Sequence, residues 1–460
     1  MPTYFILFGA TGDLAQRKLY PALFDNFINQ QLPDDLRILG VARSSRSQEE
    51  FRQLIENSLG HCEQKHLETF LNICTYVQVD YDNPHCMIQT IKSQGIPHSA
   101  QLVWYLAIPP QSFYQVITSI ATVKDTLPEL THRLIIEKPF GQDLTSAQEL
   151  NTYLSGIFQE SEIYRIDHYL GKETVQNILA LRFGNSMFEP LLNNRYVESI
   201  HIEVKEELGV EGRAAYFDNT GIIKDILQNH ILQLMSLIMM EPPARMEAEF
   251  IRDEKYKVLR SLREIDCNQV IFGQYQENPD TDVLGYRQEQ GVDPESQTET
   301  YVNLTTYVDN LRWEGVPVHI TTGKRLEEKQ AEIRIVFRPS FRYFMHPDEE
   351  CNPEKNQLVI QIQPNEEVYS QVNAKFPGRG MCIQPVKLHF TYQSFNTPTK
   401  DAYTRLLRDG IEGDQTLFIR SDEIEAAWRY VTPLIDRHKR NESNLVFYPA
   451  GTAPQNLLEE

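Results

Sequence analysis

Short runs of consecutive apolar residues alternate with helical patterns in the first part of the chain. Residues 4–8 form the first run, which ends at Gly9, and a helical pattern extends from residue 13 to residue 27. Comparable apolar runs follow at 36–42, 102–107 and 133–137. Strands that are apolar on both faces and separated by helices are typical of a buried parallel sheet. The pattern predicts a doubly wound, Rossmann-like α/β domain over residues 1–167.

In the second half, apolar and polar positions alternate with a period of two. This alternation covers residues 197–204, 332–337, 358–362 and 386–390. It indicates antiparallel strands with one buried face. Helical patterns lie at 222–240 and at 422–431, just before Pro433, and the polar segment 278–299 is predicted to be a long loop. We therefore expect an α+β domain over residues 168–460, with a large, mainly antiparallel sheet backed by helices.

A glycine-containing loop joins the first predicted strand to the first predicted helix. Gly9 permits a tight turn, and Gly12 lets the backbone approach a pyrophosphate at the helix N-terminus. The residues that would line such a ligand are Gly9, Thr11, Gly12, Asp13 and Leu14. The G-x-x-G-x-x-A spacing is only moderately specific, since a chance strand–glycine–helix junction produces it as well.

The end of the second predicted strand bears on the choice of cofactor. NAD-binding folds usually place a carboxylate there, whereas this chain has the sequence Arg43-Ser44-Ser45-Arg46. A guanidinium can bind a 2′-phosphate through two hydrogen bonds, while a carboxylate would repel it. Arg43 therefore favours NADP over NAD, although arginines in loops are commonly just solvated.

Four polar side chains of different chemistry lie within residues 167–172. Asp167 could orient a catalytic base, while His168, Tyr169 and Lys172 could donate hydrogen bonds to a phosphate. A solvated turn with its own salt bridges has the same composition, so the cluster alone does not distinguish the two interpretations.

A histidine interrupts the apolar stripe of the helix predicted at 222–240. The stripe contains positions 223, 227, 230 and 234, and His230 is its polar member. Such a residue can be a core histidine bonded to a neighbour, or a semi-buried base with a pKa near neutrality. Asp225 lies five residues earlier, roughly 140° around an α-helix, which makes it a weaker candidate for the same ligand.

Several lysines follow predicted strands or the glycine loop, where open α/β sheets hold their ligands. They are Lys18, Lys138, Lys324 and Lys329. Each of them alone is ordinary for a protein surface. Their convergence on one site is a hypothesis that the sequence raises and does not decide.

The composition limits the kinds of partner. The chain carries 44 basic and 64 acidic residues, a net charge of −20, which disfavours nucleic acid because phosphate backbones need a basic surface. No apolar run approaches the ~18–20 residues that span a bilayer, so we expect no membrane partner. The six cysteines lack metal-binding spacing and predict free thiols in a reducing, cytoplasmic compartment. We expect no bound metal.

Taken together and in order, these motifs resemble the glucose-6-phosphate dehydrogenase family over nearly the whole chain. The sequence R-I-D-H-Y-L-G-K-E within residues 163–177 resembles the family's most specific motif, and residues 9–21 resemble its coenzyme loop and first helix. Further similar segments are 137–141, 211–218 and 228–230, with weaker ones at 271–275 and 401–403.

The resemblance implies an enzyme that oxidises glucose 6-phosphate at C1 to 6-phosphoglucono-1,5-lactone with NADP as hydride acceptor, the entry step of the oxidative pentose phosphate pathway. It implies that His230 is the general base and that Asp167 orients it. It implies substrate contacts from Lys18, Lys138, His168, Tyr169, Lys172, Glu206, Asp225, Lys324 and Lys329. Cofactor contacts would come from the glycine loop, Arg43 and Lys138. The family also suggests a homodimer or homotetramer formed through the second domain's sheet.

Two positions depart from residues that are common in the family. Thr11 replaces a serine, which keeps the hydroxyl, and Lys329 stands where arginine can occur, which exchanges a planar fork for a point charge. A second, structural NADP site is not inferred, because the chain is shorter than many animal relatives.

Other functions fit parts of the sequence. A non-catalytic NADP-sensing protein would fit the Rossmann-like pattern, but it should have lost His230 or Asp167, and both are present. A short-chain dehydrogenase or epimerase would fit G-A-T-G, but that class needs Tyr-x-x-x-Lys, a spacing absent from this sequence. A relative with broader hexose-6-phosphate or luminal use is disfavoured by the lack of a signal-peptide pattern.

Overall fold

The fold is that of a computed structural model, which describes residues 1–60, 62–281, 283–339, 353–378, 382–392, 399–440, 445–452 and 454. Within these residues the backbone forms two sheets. Their strands are β1 (Thr3–Phe8), β2 (Arg37–Ala42), β3 (Cys74–Gln78), β4 (Gln101–Leu106), β5 (Thr131–Ile136), β6 (Ile163–Ile166), β7 (Val197–Lys205), β8 (Ile271–Gln276), β9 (Tyr301–Thr306), β10 (Val318–Gly323), β11 (Gln330–Phe337), β12 (Gln357–Gln363), β13 (Glu367–Lys375), β14 (Ile383–Thr391), β15 (Phe418–Ile419) and β16 (Leu445–Pro449).

Helices connect and cover the strands. The α-helices are α1 (Tyr20–Ile28), α2 (Gln48–Leu59), α3 (Gln64–Asn72), α4 (Pro84–Ser93), α5 (Phe113–Thr126), α6 (Leu144–Ser155), α7 (Glu173–Phe183), α8 (Ala214–Asp218), α9 (Leu232–Met239), α10 (Ala248–Arg260), α11 (Ala402–Glu412) and α12 (Ser421–Lys439). Two segments are π-helical, π1 (Ala15–Leu19) before α1 and π2 (Ile223–Ile231) before α9. Among the described helices, none combines the length and the apolar character that crossing a membrane requires.

The first sheet contains seven strands in the order β15-β6-β5-β4-β1-β2-β3. Strands β1 to β6 pair in parallel, and every residue of the central strand β4 is buried. A parallel sheet with helical crossovers is covered on both faces, so its strands must be apolar throughout. The predicted doubly wound, Rossmann-like fold class is confirmed.

The last part of the chain completes this first sheet. Strand β15 pairs antiparallel with β6, with Phe418 opposite Ile166, and α11 and α12 pack against α1 and α6. Residues 402–439 therefore fold onto the first sheet, although they follow eight of the nine strands of the second sheet in sequence. This return places C-terminal side chains next to the end of β6.

The second sheet contains nine strands in the order β14-β13-β12-β11-β7-β10-β9-β8-β16. Among the described strands of this sheet, β7–β10 and β8–β16 pair in parallel and the other pairs are antiparallel, so the predicted mainly antiparallel sheet is confirmed. Along β7, Ile200, Ile202 and Val204 are buried and packed toward π2, while His201 and Glu203 are partly exposed. The described residues of segment 278–299 form a loop with one short 3₁₀ helix, Tyr286–Gln288, as predicted.

Helix α12 is longer than predicted. The pattern indicated an end at residue 431, but the helix continues through Pro433 to Lys439. A proline in a helix interior removes one backbone hydrogen bond. Here Trp428, Val431 and Leu434 are all buried, so the same helical face packs into the core on both sides of the proline. Burial of that face outweighs the lost bond.

The cysteines are not all free. Cys62, Cys74, Cys86 and Cys267 are free thiols, as expected, but Cys382 is disulfide-bonded. The prediction of six free thiols is therefore wrong. Cys351 lies outside the described residues.

Replacing Phe418 with alanine should destabilise the protein, because the ring is fully buried in β15 and meets the Tyr164 ring edge-on at 4.9 Å. Core Phe-to-Ala changes typically cost about 3–5 kcal/mol. Thermal unfolding followed by circular dichroism should give a clearly lower Tm. Leu311→Ala is the control, since Leu311 is 91% exposed and its truncation should leave Tm near the wild-type value. Equal Tm values for the two variants would contradict the core position of Phe418.

Candidate active site

The centre of the site is a buried pair formed by Asp167 and His230. Asp167 directly follows β6, and His230 lies in π2. Asp167 Oδ1 lies 2.5 Å from His230 Nδ1, and the same oxygen accepts the backbone N–H of Tyr169 at 2.9 Å. Both side chains of the pair are 1% exposed. The fold thus joins two residues that the sequence separates widely.

Burial and mutual contact determine the charges of this pair. Burial alone would raise the pKa of Asp167, but attraction to His230 and the hydrogen bond between them outweigh it, so the pKa lies below its usual value. Burial lowers the pKa of His230, and Asp167 only partly offsets this. At neutral pH the pair is therefore an ionised carboxylate that holds a neutral imidazole. With the proton on Nδ1, Nε2 has the free lone pair that a general base needs.

Lys138, just after β5, connects His230 with Asp225. Its Nζ lies 3.1 Å from His230 Nε2, 3.3 Å from Asp225 Oδ1 and 3.0 Å from the Asp225 carbonyl oxygen. The α-helix expected from the sequence would place Asp225 roughly 140° from His230, but the helix is π-helical here. In a π-helix the backbone bond joins residues five apart. Asp225 and His230 therefore stand one turn apart on the same face.

Aromatic side chains of the 167–172 segment enclose the imidazole of His230. The Tyr169 ring stacks on it with centroids 4.3 Å apart and an interplanar angle of 16°, and the His168 ring meets it edge-on at 4.6 Å. Lys172 Nζ lies 4.5 Å from the centre of the Tyr169 ring. Burial, His230 and Lys138 lower the pKa of His168, which leaves it neutral. The segment is folded around His230 and is not a solvated turn.

A second group of charges comes from the second sheet. Lys324 follows β10 and is 2% exposed. Its ammonium contacts the carboxylate of Glu206 and lies 3.7 Å from Asp225 Oδ2. Burial alone would raise the pKa of Asp225, but Lys138 and Lys324 outweigh burial and lower it. Charged groups from both sheets therefore meet at π2.

The remaining lysines differ in how closely they join this cluster. Burial, reinforced by repulsion from Lys329, lowers the pKa of Lys172 to about 8. Lys329 is exposed, and Lys18 is half-exposed with its Nζ 2.7 Å from Asp401 Oδ2. In the part of the chain that the structure describes, neither Lys18 nor Lys329 directly contacts the Asp167–His230 centre.

The glycine loop has the shape that close approach to a phosphate needs. Gly9 has a φ of 77°, donates its N–H to Val41 O at 2.9 Å, and leaves no space for a Cβ, which would lie 2.1 Å from Ala107 O. Gly12 donates to Gly9 O at 2.9 Å. Thr11, Asp13 and Leu14 are partly or fully exposed just before π1. A bare backbone turn that leads into a helix is a suitable pyrophosphate cradle.

Arg43 lies beside this loop. It follows β2, is exposed, and has its guanidinium carbon 5.7 Å from the centre of the Tyr81 ring. The Tyr81 hydroxyl in turn accepts the N–H of Gly9 at 3.3 Å. An exposed guanidinium next to the loop is well placed for a 2′-phosphate.

A cavity of about 870 Å³ opens beside the Asp167–His230 pair, between the strand ends of the first sheet and π2. Its lining includes Lys138, Asp167, Asp225, Gln228 and Asn229. Ligand atoms of Asp167, His168 and His230 lie within 4.8 Å of one another. Because Asp167 Oδ1 and His230 Nδ1 already bond to each other, this set suits proton transfer better than metal binding.

Some supporting residues were not singled out from the sequence. Glu137, next to Lys138, accepts a hydrogen bond from the Tyr105 hydroxyl at 2.5 Å and also bonds to Tyr403. Asn229 Oδ1 accepts the backbone N–H of His230 at 2.6 Å. Glu137 and Asn229 fall inside segments with family resemblance, which is the signal that could have identified them.

Comparisons with known proteins match this chain along its whole length. The family model "Glucose-6-phosphate dehydrogenase, NAD binding domain" matches residues 6–177, and "Glucose-6-phosphate dehydrogenase, C-terminal domain" matches residues 179–459. The glucose-6-phosphate 1-dehydrogenase of Cyberlindnera jadinii is 40% identical, with 97% of this chain and 91% of that protein covered. The Dictyostelium discoideum enzyme is also 40% identical, with coverages of 99% and 92%.

The three-dimensional comparison agrees with these matches. A solved glucose-6-phosphate dehydrogenase in complex with its substrate glucose 6-phosphate superposes with a TM-score of 0.92 at 36% identity, covering 99% of this chain and 96% of that one. The sequence matches and the superposition both extend over the Rossmann-like part and the large sheet. The chain therefore belongs to the glucose-6-phosphate dehydrogenase family.

Proposed function

We propose that the chain oxidises glucose 6-phosphate at C1 to 6-phosphoglucono-1,5-lactone, with NADP⁺ as the hydride acceptor. This is the entry step of the oxidative pentose phosphate pathway. The observation that carries the proposal is the buried Asp167–His230 pair with Lys138 at the free nitrogen of the imidazole. Membership of the family supports this reaction type for the pair, and the relative solved with glucose 6-phosphate supports the identity of the substrate.

His230 is assigned the role of general base. Its Nε2 accepts the proton of the C1 hydroxyl, while Asp167 holds Nδ1–H and stabilises the imidazolium that forms. Lys138, whose Nζ lies 3.1 Å from Nε2, would donate to the substrate oxygen when the hydroxyl binds at Nε2. As the proton leaves, electron density on the oxygen expels hydride from C1. NADP⁺ held at the glycine loop would supply the acceptor for that hydride.

The surrounding residues are assigned to hold the substrate. His168, Tyr169 and Lys172 supply hydrogen-bond donors for its phosphate. The His168 and Tyr169 rings contact the His230 ring, and Lys172 lies over the Tyr169 ring. The sugar and its alignment are assigned to Lys18, Lys138, Glu206, Asp225, Lys324 and Lys329. Charge-assisted hydrogen bonds at buried groups are the strong ones, so Lys138 and Lys324 should contribute most.

The cofactor is assigned to the glycine loop and its neighbours. Gly9, Thr11, Gly12, Asp13 and Leu14 would hold the pyrophosphate at the turn that leads into the helix, where Gly9 has no space for a Cβ next to Ala107 O. Arg43 would bind the 2′-phosphate, and Lys138 would face both ligands.

A homodimer or homotetramer formed through the second sheet is also proposed. The outward positions of β7 and β10, such as His201, Glu203 and Thr321, are only partly buried in the single chain.

A cytoplasmic location is also proposed. The four free thiols support a reducing compartment, whereas the disulfide at Cys382 is unusual for one.

Replacing His230 with asparagine should lower kcat by about 10²–10⁴-fold, since the base is lost. Binding of glucose 6-phosphate, measured by calorimetry, should stay largely intact, because the phosphate donors remain. The control is His98→Asn, which changes an exposed histidine outside the site. A His230→Asn variant that turns over within about tenfold of wild type would refute the base assignment.

Lys172→Ala should raise the KM for glucose 6-phosphate roughly tenfold or more with a smaller effect on kcat, because a charged hydrogen bond to the phosphate is lost. Since the pKa of Lys172 is about 8, its ammonium is lost as the pH rises through that value. The wild-type KM should therefore rise from about pH 7 to about pH 9, and Lys172→Arg, which stays protonated, should flatten this rise.

The matched control for this series is Lys355→Ala, which removes a half-exposed lysine just before β12 of the second sheet. Its KM should follow the wild-type pH profile. An unchanged KM in Lys172→Ala would remove Lys172 from the phosphate site.

A further inference from the structure

The start of π2 is hydrogen-bonded to Glu299, which lies just before β9. Glu299 accepts the backbone N–H of Ile222 through its carbonyl oxygen at 3.0 Å and the N–H of Ile223 through its side-chain Oε1 at 3.2 Å. The first N–H groups of a helix have no partner within the helix. Glu299 therefore satisfies two successive donors where the π-helix begins.

The carboxylate of Glu299 is tightly enclosed. Gly221 has a φ of 70°, and a Cβ at this position would lie 2.2 Å from Glu299 Oε1. On the other side, His438 Nε2 of α12 lies 3.4 Å from Glu299 Oε2, and the Glu299 side chain is 8% exposed. A negative charge at a helix N-terminus also interacts favourably with the helix dipole. Burial raises the pKa of Glu299, and His438 and the N–H donors oppose that rise.

The residue after Glu299 holds another part of the site. Thr300 accepts the backbone N–H of Lys324 through its carbonyl oxygen at 2.9 Å. Lys324 Nζ in turn lies 3.7 Å from Asp225 Oδ2. The dipeptide Glu299-Thr300 therefore anchors both backbones that carry this ion pair.

The register of π2 matters for the site because Asp225 and His230 share a face only in π geometry. An α-helix would separate two residues five positions apart by roughly 140°. Because Glu299 binds the first N–H groups of π2, it determines the residue at which the wider π-helical turns begin. Asp225 lies only two residues after the N–H that Oε1 accepts.

We propose that Glu299 is a positioning residue, whose enclosed carboxylate sets the register of π2 and thereby places Asp225 and His230 against Lys138 and Lys324. This inference rests on the proposed function, since it concerns the same site. It concerns a residue that does not touch the catalytic pair and acts only through the helix backbone.

The test compares Glu299→Ala with Glu299→Gln. Alanine removes the side-chain acceptor and leaves the N–H of Ile223 without a partner. This change should lower kcat/KM for glucose 6-phosphate roughly tenfold or more. The KM for NADP⁺ should stay within about twofold, since the glycine loop is untouched. Glutamine keeps an acceptor oxygen at the same place, and it should restore kcat/KM to within about threefold of wild type.

Asp409→Ala is the matched control, because it removes another almost fully buried carboxylate, paired with Arg405 on α11. It should lower Tm while kcat and the KM for glucose 6-phosphate stay at wild-type values. A Glu299→Ala variant with a lower Tm but wild-type kcat and KM would overturn the proposal. A Glu299→Gln variant whose kcat/KM is as low as that of Glu299→Ala would also overturn it. Failure of the wild-type chain to oxidise glucose 6-phosphate would instead refute the proposed function, so the two failures are distinguishable.

Discussion

The hydrogen bond between His230 and Asp167 is the interaction on which the site and the fold jointly depend. Asp167 ends the last parallel strand of the first sheet, and His230 comes from the helix that packs on the second sheet. The 2.5 Å contact therefore forms only when the two parts are docked together. Removing the imidazole would leave the buried Asp167 carboxylate without its donor, and an unsatisfied buried polar group costs about 1–3 kcal/mol, or more when it is charged. The return of β15 beside Ile166 and the packing of α12 on π2 keep this junction closed.

Electrostatic focusing explains how so acidic a chain can bind two phosphorylated ligands. The net charge is −20, yet Lys138, Lys172 and Lys324 lie at or beside one buried centre. Carboxylates of Asp225 and Glu206 hold two of these lysines in place and can also accept hydrogen bonds from sugar hydroxyls. These lysines offer charged donors directly at the site, and such local charges govern phosphate binding more than the total charge does. The pair of Asp167 and His230 stays a carboxylate and a neutral base inside that field.

Most of the architecture could be predicted because it follows from local patterns. Buried strands such as β4 and alternating strands such as β7 show their burial in their own residues. The π geometry of residues 223–231 could not be predicted, because it depends on where a tertiary contact anchors the first turn. A two-residue strand such as β15 is too short to leave a pattern. Lys18 and Lys329 were expected at the site from the sequence, but in the described structure Lys18 pairs with Asp401 and Lys329 is exposed.

The most direct measurement of the central claim is the initial rate of reduced-nicotinamide formation by the wild-type chain, followed by absorbance. Glucose 6-phosphate and free glucose are each paired with NADP⁺ and with NAD⁺. The account predicts the highest kcat/KM for glucose 6-phosphate with NADP⁺, a lower value with NAD⁺, and a far lower value for glucose, which lacks the phosphate that is assigned to Lys172. No reduced cofactor with any pairing, or equal kcat/KM for glucose and glucose 6-phosphate, would contradict it.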